Sequence, residues 1–263
     1  METGRRMPKS LFDLTDKVAI VTGSTKGIGR SIAEALARSG AKVVVSSRKV
    51  EKCEEVANII RNEELEATAI PCHIGKRQDV ERLVSETRRQ YGKVDVLVCN
   101  AAVNPYYGPM SGLTDEAFTK VIDSNLRSNL WLCNLVIPEM AERRDGSVII
   151  VSSIGGLRGS LNLGIYAISK AADFQLARNL AVEWGPKNIR VNCIAPGLVR
   201  TDFARALWDN AERLAHAEAT TPLGRIGEPD DIAGAAVFLA SRAGAWMTGQ
   251  VMVIDGGVTI GPG

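Results

Sequence analysis

Histidines and paired cysteines are scarce in this sequence of 263 residues. The two histidines, His73 and His216, are far apart, and none of the five cysteines forms a Cys-x-x-Cys pair with another. Metal centres and disulfide frameworks need clusters of such residues, so we expect neither a bound metal nor a disulfide. Free thiols are typical of a reducing compartment, and we predict a cytoplasmic protein.

A marked excess of charge and a long apolar run are also absent. The net charge is +2, with both signs mixed along the chain, which argues against a nucleic-acid partner. No apolar run is long enough to cross a bilayer, so we expect no membrane association. The basic residues at the amino terminus are not followed by an apolar segment, so residues 1–13 are interpreted as a flexible tail, not a signal peptide.

What the chain does contain is an alternation of short apolar runs and longer amphipathic stretches. The runs lie at residues 18–22, 42–46, 67–72, 94–100, 147–152, 190–195 and 251–255. Most are almost continuously apolar, as expected for strands buried on both faces of a parallel sheet. The pattern predicts an α/β fold: one Rossmann-type, doubly wound parallel sheet of about seven strands, with helices on both faces, spanning residues 14–263.

A glycine-rich turn directly follows the first predicted strand and precedes an amphipathic helix. Its spacing is Gly-x-x-x-Gly-x-Gly, from Gly23 to Gly29. Glycines allow close backbone approach, and a helix N-terminus offers free N–H groups and a positive dipole to a pyrophosphate. The turn predicts a dinucleotide site formed by Gly23, Ser24, Thr25, Lys26, Gly27, Ile28 and Gly29.

The end of the second strand indicates which dinucleotide is bound. NAD sites place a carboxylate there for the ribose hydroxyl, but here the strand ends in Ser46-Ser47-Arg48. The planar guanidinium of Arg48 suits a 2′-phosphate, and Lys26 adds positive charge. We therefore predict NADP(H), with NAD as the less favoured cofactor. The alternative, that both cations are ordinary solvated side chains, stays open.

Further cofactor contacts are predicted where the next two strands end. His73 and Ile74 follow the third strand, and Asn100, Ala101 and Ala102 follow the fourth. Ligands bind at the carboxyl ends of the strands in such sheets. These residues are expected to contact the adenosine half of the cofactor.

Tyr166 and Lys170 are candidates for proton transfer. They are four residues apart in a predicted helix and therefore share one face. A free tyrosine has a pKa of about 10, and a nearby ammonium favours its phenolate form. The pair is therefore suited to general acid/base catalysis, and Ser153, at the end of the fifth strand, can donate a hydrogen bond to a substrate oxygen.

In this order along the chain, the motifs resemble those of the short-chain dehydrogenase/reductase family over residues 14–258. They are the glycine turn, Asn100-Ala101-Ala102, Asn125, Ser153, Tyr166-x-x-x-Lys170 and Pro196-Gly197. The resemblance implies a catalytic tetrad in which Tyr166 transfers the proton, Lys170 assists it and binds the nicotinamide ribose, Ser153 positions the carbonyl and Asn125 holds a water. It also implies that the nicotinamide is lined by Pro196, Gly197, Val199 and Thr201.

Within the family, residues 43–49, 72–76 and 100–105 resemble NADPH-dependent carbonyl and retinal reductases of the peroxisomal type. The chain departs from the general family pattern at Cys99 and Ala102, where the family usually has asparagine and glycine, and at His73, where it has an acid. These departures concern adenosine binding and leave the tetrad unchanged.

The segment 198–222 is predicted to be a loop that covers a medium-sized, partly apolar ketone or aldehyde. The predicted substrate pocket contains Ser153, Asn104, Tyr106, Leu198, Phe203, Leu207 and Trp208. For Leu207 and Trp208, ordinary packing within the loop is the alternative.

Two other functions stay open. The family also includes 3-oxoacyl-(acyl-carrier-protein) reductases, whose carrier is held by two cations near the cleft, and Arg144 and Lys187 fall near those places. A non-catalytic, cofactor-binding sensor is the alternative from another class, and the complete tetrad argues against it. The resemblance also implies a homotetramer, or a homodimer, formed through the helices after strands four and five. The second of these helices carries Phe174, Leu176, Ala177, Leu180 and Trp184.

Overall fold

One parallel sheet organises the chain in the computed structural model, which describes residues 10–261. Its strands are β1 (Val18–Thr22), β2 (Lys42–Ser46), β3 (Ala67–Ala69), β4 (Val96–Cys99), β5 (Gly146–Val151), β6 (Ile189–Pro196) and β7 (Val251–Ile254). All are parallel, in the order β3-β2-β1-β4-β5-β6-β7. The predicted fold class is confirmed.

Eight α-helices among residues 10–261 cover both faces of the sheet. They are α1 (Gly27–Arg38), α2 (Val50–Asn62), α3 (Arg77–Tyr91), α4 (Asp115–Ile122), α5 (Ser128–Arg143), α6 (Gly164–Trp184), α7 (Ala211–Thr220) and α8 (Pro229–Ala240). Side chains of α1, α2 and α8 form the core on one face, and those of α3, α5 and α6 form the core on the other. This is the two-faced burial that the apolar strands predict.

The third strand (Ala67–Ala69) is shorter than the predicted run at residues 67–72. Regular pairing ends at Ala69. The N–H groups of Ile70 and Cys72 still donate to the carbonyls of Val45 and Ser47, at 3.0 and 2.9 Å. The segment therefore follows β2 and carries Cys72 and His73 to the carboxyl edge of the sheet.

A π-helical segment (Asp123–Arg127) joins α4 to α5 in one continuous helical run. Such widened turns are rare and occur frequently at functional sites. Asn125 lies in this segment and is fully buried. The sequence pattern did not predict this change in helical winding.

The predicted covering loop is partly helical. It contains a 3₁₀ segment (Asp202–Leu207) and α7. Both begin at side-chain caps: Thr201 accepts from the N–H of Ala204, and Asn210 accepts from those of Glu212 and Arg213. These caps satisfy N–H groups that the first helical turn leaves without partners.

The boundaries predicted for the tail and the domain lie partly outside the described residues, which exclude 1–9 and 262–263. Leu11 contacts the domain, since its carbonyl accepts from the N–H of Ala243 at 3.1 Å. Leu14 is buried. Within residues 10–261, every helix is too short or too polar to cross a membrane.

Candidate active site

A cavity of about 330 Å³ opens at the carboxyl ends of β1, β2, β4 and β5. The chain leaves β1 toward one side of the sheet and β4 toward the other, which is the switch point where such folds bind ligands. Most of the predicted cofactor residues line it: Gly23, Thr25, Lys26, Gly27, Ile28, Gly29, Ser47, Arg48, His73, Ile74, Asn100, Ala101, Ala102, Tyr166, Lys170 and Thr201.

The glycine turn forms a cradle that side chains would fill. Gly23 and Gly27 have φ angles of 66° and 54°, in the left-handed region that favours glycine. A Cβ on Gly29 would lie 2.3 Å from Asn100 Nδ2 and 2.5 Å from the carbonyl oxygen of Gly23. Asn100 fastens the turn to β4, because its Nδ2 donates to the carbonyls of Thr22 (2.9 Å) and Gly23 (3.2 Å).

The first turn of α1 faces this cradle without a side-chain cap. Lys26 is the N-cap residue, with an extended backbone, and no acidic residue lies in the first turn. The free N–H groups of a helix start are suited to phosphate oxygens. The cradle and the helix start together fit a dinucleotide pyrophosphate.

The cations at the mouth of the cavity differ in their partners. Lys26 Nζ lies 3.3 Å from Asp202 Oδ2, and Arg205 also pairs with Asp202, at 2.8 Å. Hydrogen bonds from Lys26 and Arg205 lower the pKa of Asp202. Arg48 is exposed, and within residues 10–261 no carboxylate forms an ion pair with it. Its guanidinium is therefore available to an anionic group of a ligand.

Tyr166 and Lys170 share one face of α6, as predicted. Lys170 Nζ lies 5.6 Å from the centroid of the Tyr166 ring. Lys170 is buried and donates to the carbonyl of Val151 at 3.0 Å. The ring of Phe203 is tilted by 44° relative to that of Tyr166, with a centroid separation of 6.0 Å. A phenol and an ammonium therefore face the same cavity as the glycine cradle.

Lys170 stays protonated although it is buried. Burial acts to lower the pKa of Lys170, but the carboxylate of Asp173 and the neighbouring Tyr166 outweigh it, and the pKa is raised. Asp173 Oδ2 lies 3.4 Å from Lys170 Nζ. Lys170 is therefore an ammonium throughout the neutral pH range.

Comparison with known proteins shows the family to which a chain with this site belongs. Residues 23–259 match the family described as enoyl-(acyl carrier protein) reductase. The dehydrogenase/reductase SDR family member 4 of Sus scrofa is 45% identical over 244 residues, which cover 93% of this chain and 88% of the relative. The chain belongs to the short-chain dehydrogenase/reductase family.

Two solved structures of the family superpose closely. A gluconate 5-dehydrogenase from Burkholderia cenocepacia in complex with NADP and tartrate has a TM-score of 0.91 and 30% identity, covering 95% of this chain and 97% of that one. A 7α-hydroxysteroid dehydrogenase complexed with NADH and 7-oxo glycochenodeoxycholic acid has a TM-score of 0.91 and 36% identity, with the same coverage. Members of the family bind nicotinamide cofactors, and this chain is an oxidoreductase of that family.

The other two residues of the family's tetrad support the site from outside the cavity lining. Ser153 Oγ accepts from the N–H of Gly155 at 3.0 Å, in the turn after β5. The side chain of Asn125 forms three hydrogen bonds: it accepts from the N–H of Val103 (2.8 Å) and donates to the Val103 carbonyl (3.0 Å) and to Ser169 Oγ (3.1 Å). Asn125 thus fastens the loop after β4 to α6.

Four predicted cofactor residues do not line the cavity. Ser24 is turned inward, donating to the Val21 carbonyl and accepting from the N–H of Ser46. Pro196 and Gly197 are occupied by pairing with β7, and the N–H of Gly197 donates to Ile254. Val199 is buried in the core. Contact between these four residues and a bound cofactor stays a prediction.

The predicted substrate residues are only partly brought together. Phe203 alone of this set lines the main cavity within the described chain. The Tyr106 hydroxyl donates to Pro109 in its own loop, Leu198 lines a separate cavity of about 140 Å³, and Trp208 Nε1 donates to the carbonyl of Thr201. The remaining two, Asn104 and Leu207, also lie outside the lining, as does Ser153. Local hydrogen bonds hold Tyr106 and Trp208 in their own segments.

Several lining residues were missed. They are Ser46, Cys72, Val103, Lys120, Ser124, Val151, Ser152 and Asp202. Val151 ends β5 and Ser152 follows it, so their position at a strand terminus is a signal that the sequence contains. Lys120 and Ser124 come from the helical run before Asn125, and only the packing of that run against the sheet brings them to the cavity.

The two cations considered for a carrier protein lie at the other edge of the sheet. Arg144 follows α5 and precedes β5, and Lys187 precedes β6. Both therefore lie at amino ends of strands, while the cavity lies at carboxyl ends. Arg144 donates to the carbonyl of Pro186. The expectation that these cations flank the cleft was wrong.

Proposed function

We propose that this chain is an NADPH-dependent reductase of ketones and aldehydes, which also catalyses the reverse oxidation of secondary alcohols. The observation that carries the proposal is the placement of Tyr166 and Lys170 in the same cavity as the glycine cradle. We also propose a cytoplasmic protein of the carbonyl reductase type.

The proposed roles follow from the positions of the side chains. The glycine cradle and Lys170 would hold a nicotinamide cofactor, which would supply the hydride for the carbonyl carbon. The phenol of Tyr166 donates its proton to the carbonyl oxygen as that oxygen gains charge. The ammonium of Lys170, 5.6 Å from the ring centroid, stabilises the phenolate that remains. The family's tetrad assigns the other two roles: Ser153, whose Oγ accepts from Gly155 and keeps its own proton to donate, would bind the same oxygen, and Asn125 would hold a relay water.

NADPH is favoured over NADH by the end of β2. Ser46, Ser47 and Arg48 line the cavity there, and none is acidic. A similar structure contains NADP and another contains NADH, so family membership alone leaves the choice open. A guanidinium can bind a 2′-phosphate through two parallel hydrogen bonds, which the hydroxyl of NADH cannot reproduce.

The substrate is tested by initial rates of NADPH and NADH oxidation with 1-phenyl-1,2-propanedione, an aromatic α-diketone, and with an acetoacetyl thioester. The proposal expects fast NADPH oxidation with the diketone. Preference for the thioester would instead support an acyl-carrier substrate, consistent with the description of the matched family. No oxidation of either cofactor with either probe would contradict the proposed reaction.

Replacing Arg48 with alanine is expected to lower kcat/KM for NADPH by about tenfold to a hundredfold, since a hydrogen bond to a charged group contributes about 1.5–3 kcal/mol. The value for NADH should change little, because NADH has no 2′-phosphate. Lys49→Ala is the matched control, since Lys49 is an adjacent exposed cation that does not line the cavity. Equal losses for both cofactors in the Arg48 variant would refute the assignment.

We also propose a homotetramer, with a homodimer as the alternative. Of the residues on α6 considered for the interface, Phe174, Ala177 and Leu180 are buried in the core of the monomer. Exposed apolar side chains do occur on α6, namely Ile168 and Val182. Sedimentation velocity of the purified chain measures the assembly directly.

A further inference from the structure

A buried carboxylate lies beside the proton-transfer pair and has no role in the proposed chemistry so far. Asp173 is on α6, three residues after Lys170, and is fully buried. Its Oδ2 lies 3.4 Å from Lys170 Nζ, and its Oδ1 accepts from Asn129 Nδ2 at 3.1 Å. A buried carboxylate is costly unless it is paired, so this contact constrains both side chains.

The same hydrogen bonds connect Asp173 to the π-helical segment. Asn129 Nδ2 also donates to the carbonyl oxygen of Asn125, at 2.6 Å. Asn125 in turn donates to Ser169 Oγ, which donates to the carbonyl of Tyr166 at 2.7 Å. Asp173 therefore belongs to a buried network that holds Lys170 and the backbone around Tyr166 in fixed positions.

The other titratable groups around Asp173 are thiols. Cys193 on β6 donates to the carbonyl of Asp173, Cys99 on β4 interacts electrostatically with Asp173, and Cys133 on α5 interacts with both of these thiols. Burial raises the pKa of Cys193, and a hydrogen bond with Cys133 together with burial raises that of Cys99. Both are neutral at physiological pH. Arg178 lies on the exposed side of α6, and the neighbouring residues of β5, Val151 and Ser152, carry no charge.

We propose that Asp173 is a positioning residue that orients Lys170 and offsets part of its charge, so that Tyr166 keeps its proton to a higher pH than Lys170 alone would allow. The proposal rests on the proposed role of Tyr166 as proton donor. An isolated ammonium favours the phenolate, and a carboxylate 3.4 Å from that ammonium weakens its effect. Reduction of a carbonyl requires the protonated phenol, so the effect extends the pH range of reduction.

The test is a titration of tyrosinate absorbance without substrate. Subtracting the spectrum of Tyr166→Phe from that of the wild type isolates the ionisation of Tyr166, and the same subtraction is made in an Asp173→Asn background. Lys170 still donates to the Val151 carbonyl in these variants, which favours its charged form, so removing the nearby negative charge is expected to lower the midpoint for Tyr166 by about one pH unit. Asp173→Ser serves as a second neutral variant if Asp173→Asn does not fold.

Two controls separate charge from structural support. Asp173→Glu keeps the carboxylate and is expected to restore most of the wild-type midpoint. Asp95→Asn removes another buried carboxylate, which lies at the amino ends of the strands, away from the cavity. There it accepts from the N–H of Val18. This variant should leave the midpoint unchanged. A midpoint that stays the same in the neutral variants, or that falls equally with glutamate, would overturn the proposal.

The titration needs no turnover, so it remains decisive even if the proposed function fails. Failure of the proposed function would appear as a lack of NADPH oxidation by the wild type. If the wild type is active, the fall of kcat/KM for reduction at high pH should begin at a lower pH in Asp173→Asn. If Asp173→Asn lowers the melting temperature but leaves the pH dependence of kcat/KM unchanged, Asp173 has only a structural role.

Discussion

Replacing Tyr166 with phenylalanine is expected to lower kcat for NADPH-dependent reduction by about a hundredfold to ten-thousandfold, because a positioned general acid contributes about 10²–10⁴ in rate. The phenylalanine ring retains the shape of the side chain and its packing against Phe203. NADPH affinity, measured by the fluorescence of the bound cofactor, should therefore remain within a few-fold of the wild type.

Tyr107→Phe is the matched control, since Tyr107 is exposed and outside the cavity lining. Its kcat is expected to match that of the wild type. Normal turnover in Tyr166→Phe would refute the assigned proton donor. A wild type that binds NADPH but never turns over, and whose partner binding depends on NADPH, would support the sensor function instead.

Gly29→Ala is expected to weaken NADPH binding by about two orders of magnitude. The added Cβ would lie 2.3 Å from Asn100 Nδ2 and 2.5 Å from the carbonyl oxygen of Gly23. Moving Asn100 breaks the hydrogen bonds that hold the turn to β4, at about 1 kcal/mol each, and overpacking costs about 1–3 kcal/mol more. Isothermal titration with NADPH measures the effect.

Gly234→Ala provides the control for a glycine replaced in a helix. Gly234 lies in α8, and beyond the backbone of its own helix and its chain neighbours nothing lies within 4 Å of its ideal Cβ position. Alanine is favoured over glycine inside a helix by about 0.8–1 kcal/mol, so this variant should melt at a higher temperature and bind NADPH normally. Wild-type affinity in Gly29→Ala would show that the cradle does not contact the cofactor.

Features that depend on local periodicity could be predicted. The seven strands follow from short apolar runs, and their burial on both faces follows from the lack of alternation within each run. Tyr166 and Lys170 face the same way because a helix repeats every 3.6 residues. The glycine turn could also be placed at a strand end and a helix start, because it lies between an apolar run and an amphipathic stretch.

Side-chain directions in the loops could not be predicted. Ser24 lies within the glycine turn, yet its hydroxyl joins β1 to β2, because a buried hydroxyl must find hydrogen-bond partners. Tyr106 bonds within its own loop, although its position after β4 suggested a pocket wall. In each case a nearby backbone group offered a partner that spacing along the chain does not reveal.

The sequence by itself determined the parallel sheet, the glycine cradle and the pairing of Tyr166 with Lys170, since each depends on residues within about two helical turns or at the end of one strand. Only the tertiary structure decided which side chains share the cavity and which lie beneath it. Asp173 shows this most clearly: its burial beside Lys170 also requires Asn129 from α5 and Cys193 from β6. Contacts between distant segments depend on how whole elements pack, and no local pattern encodes that packing.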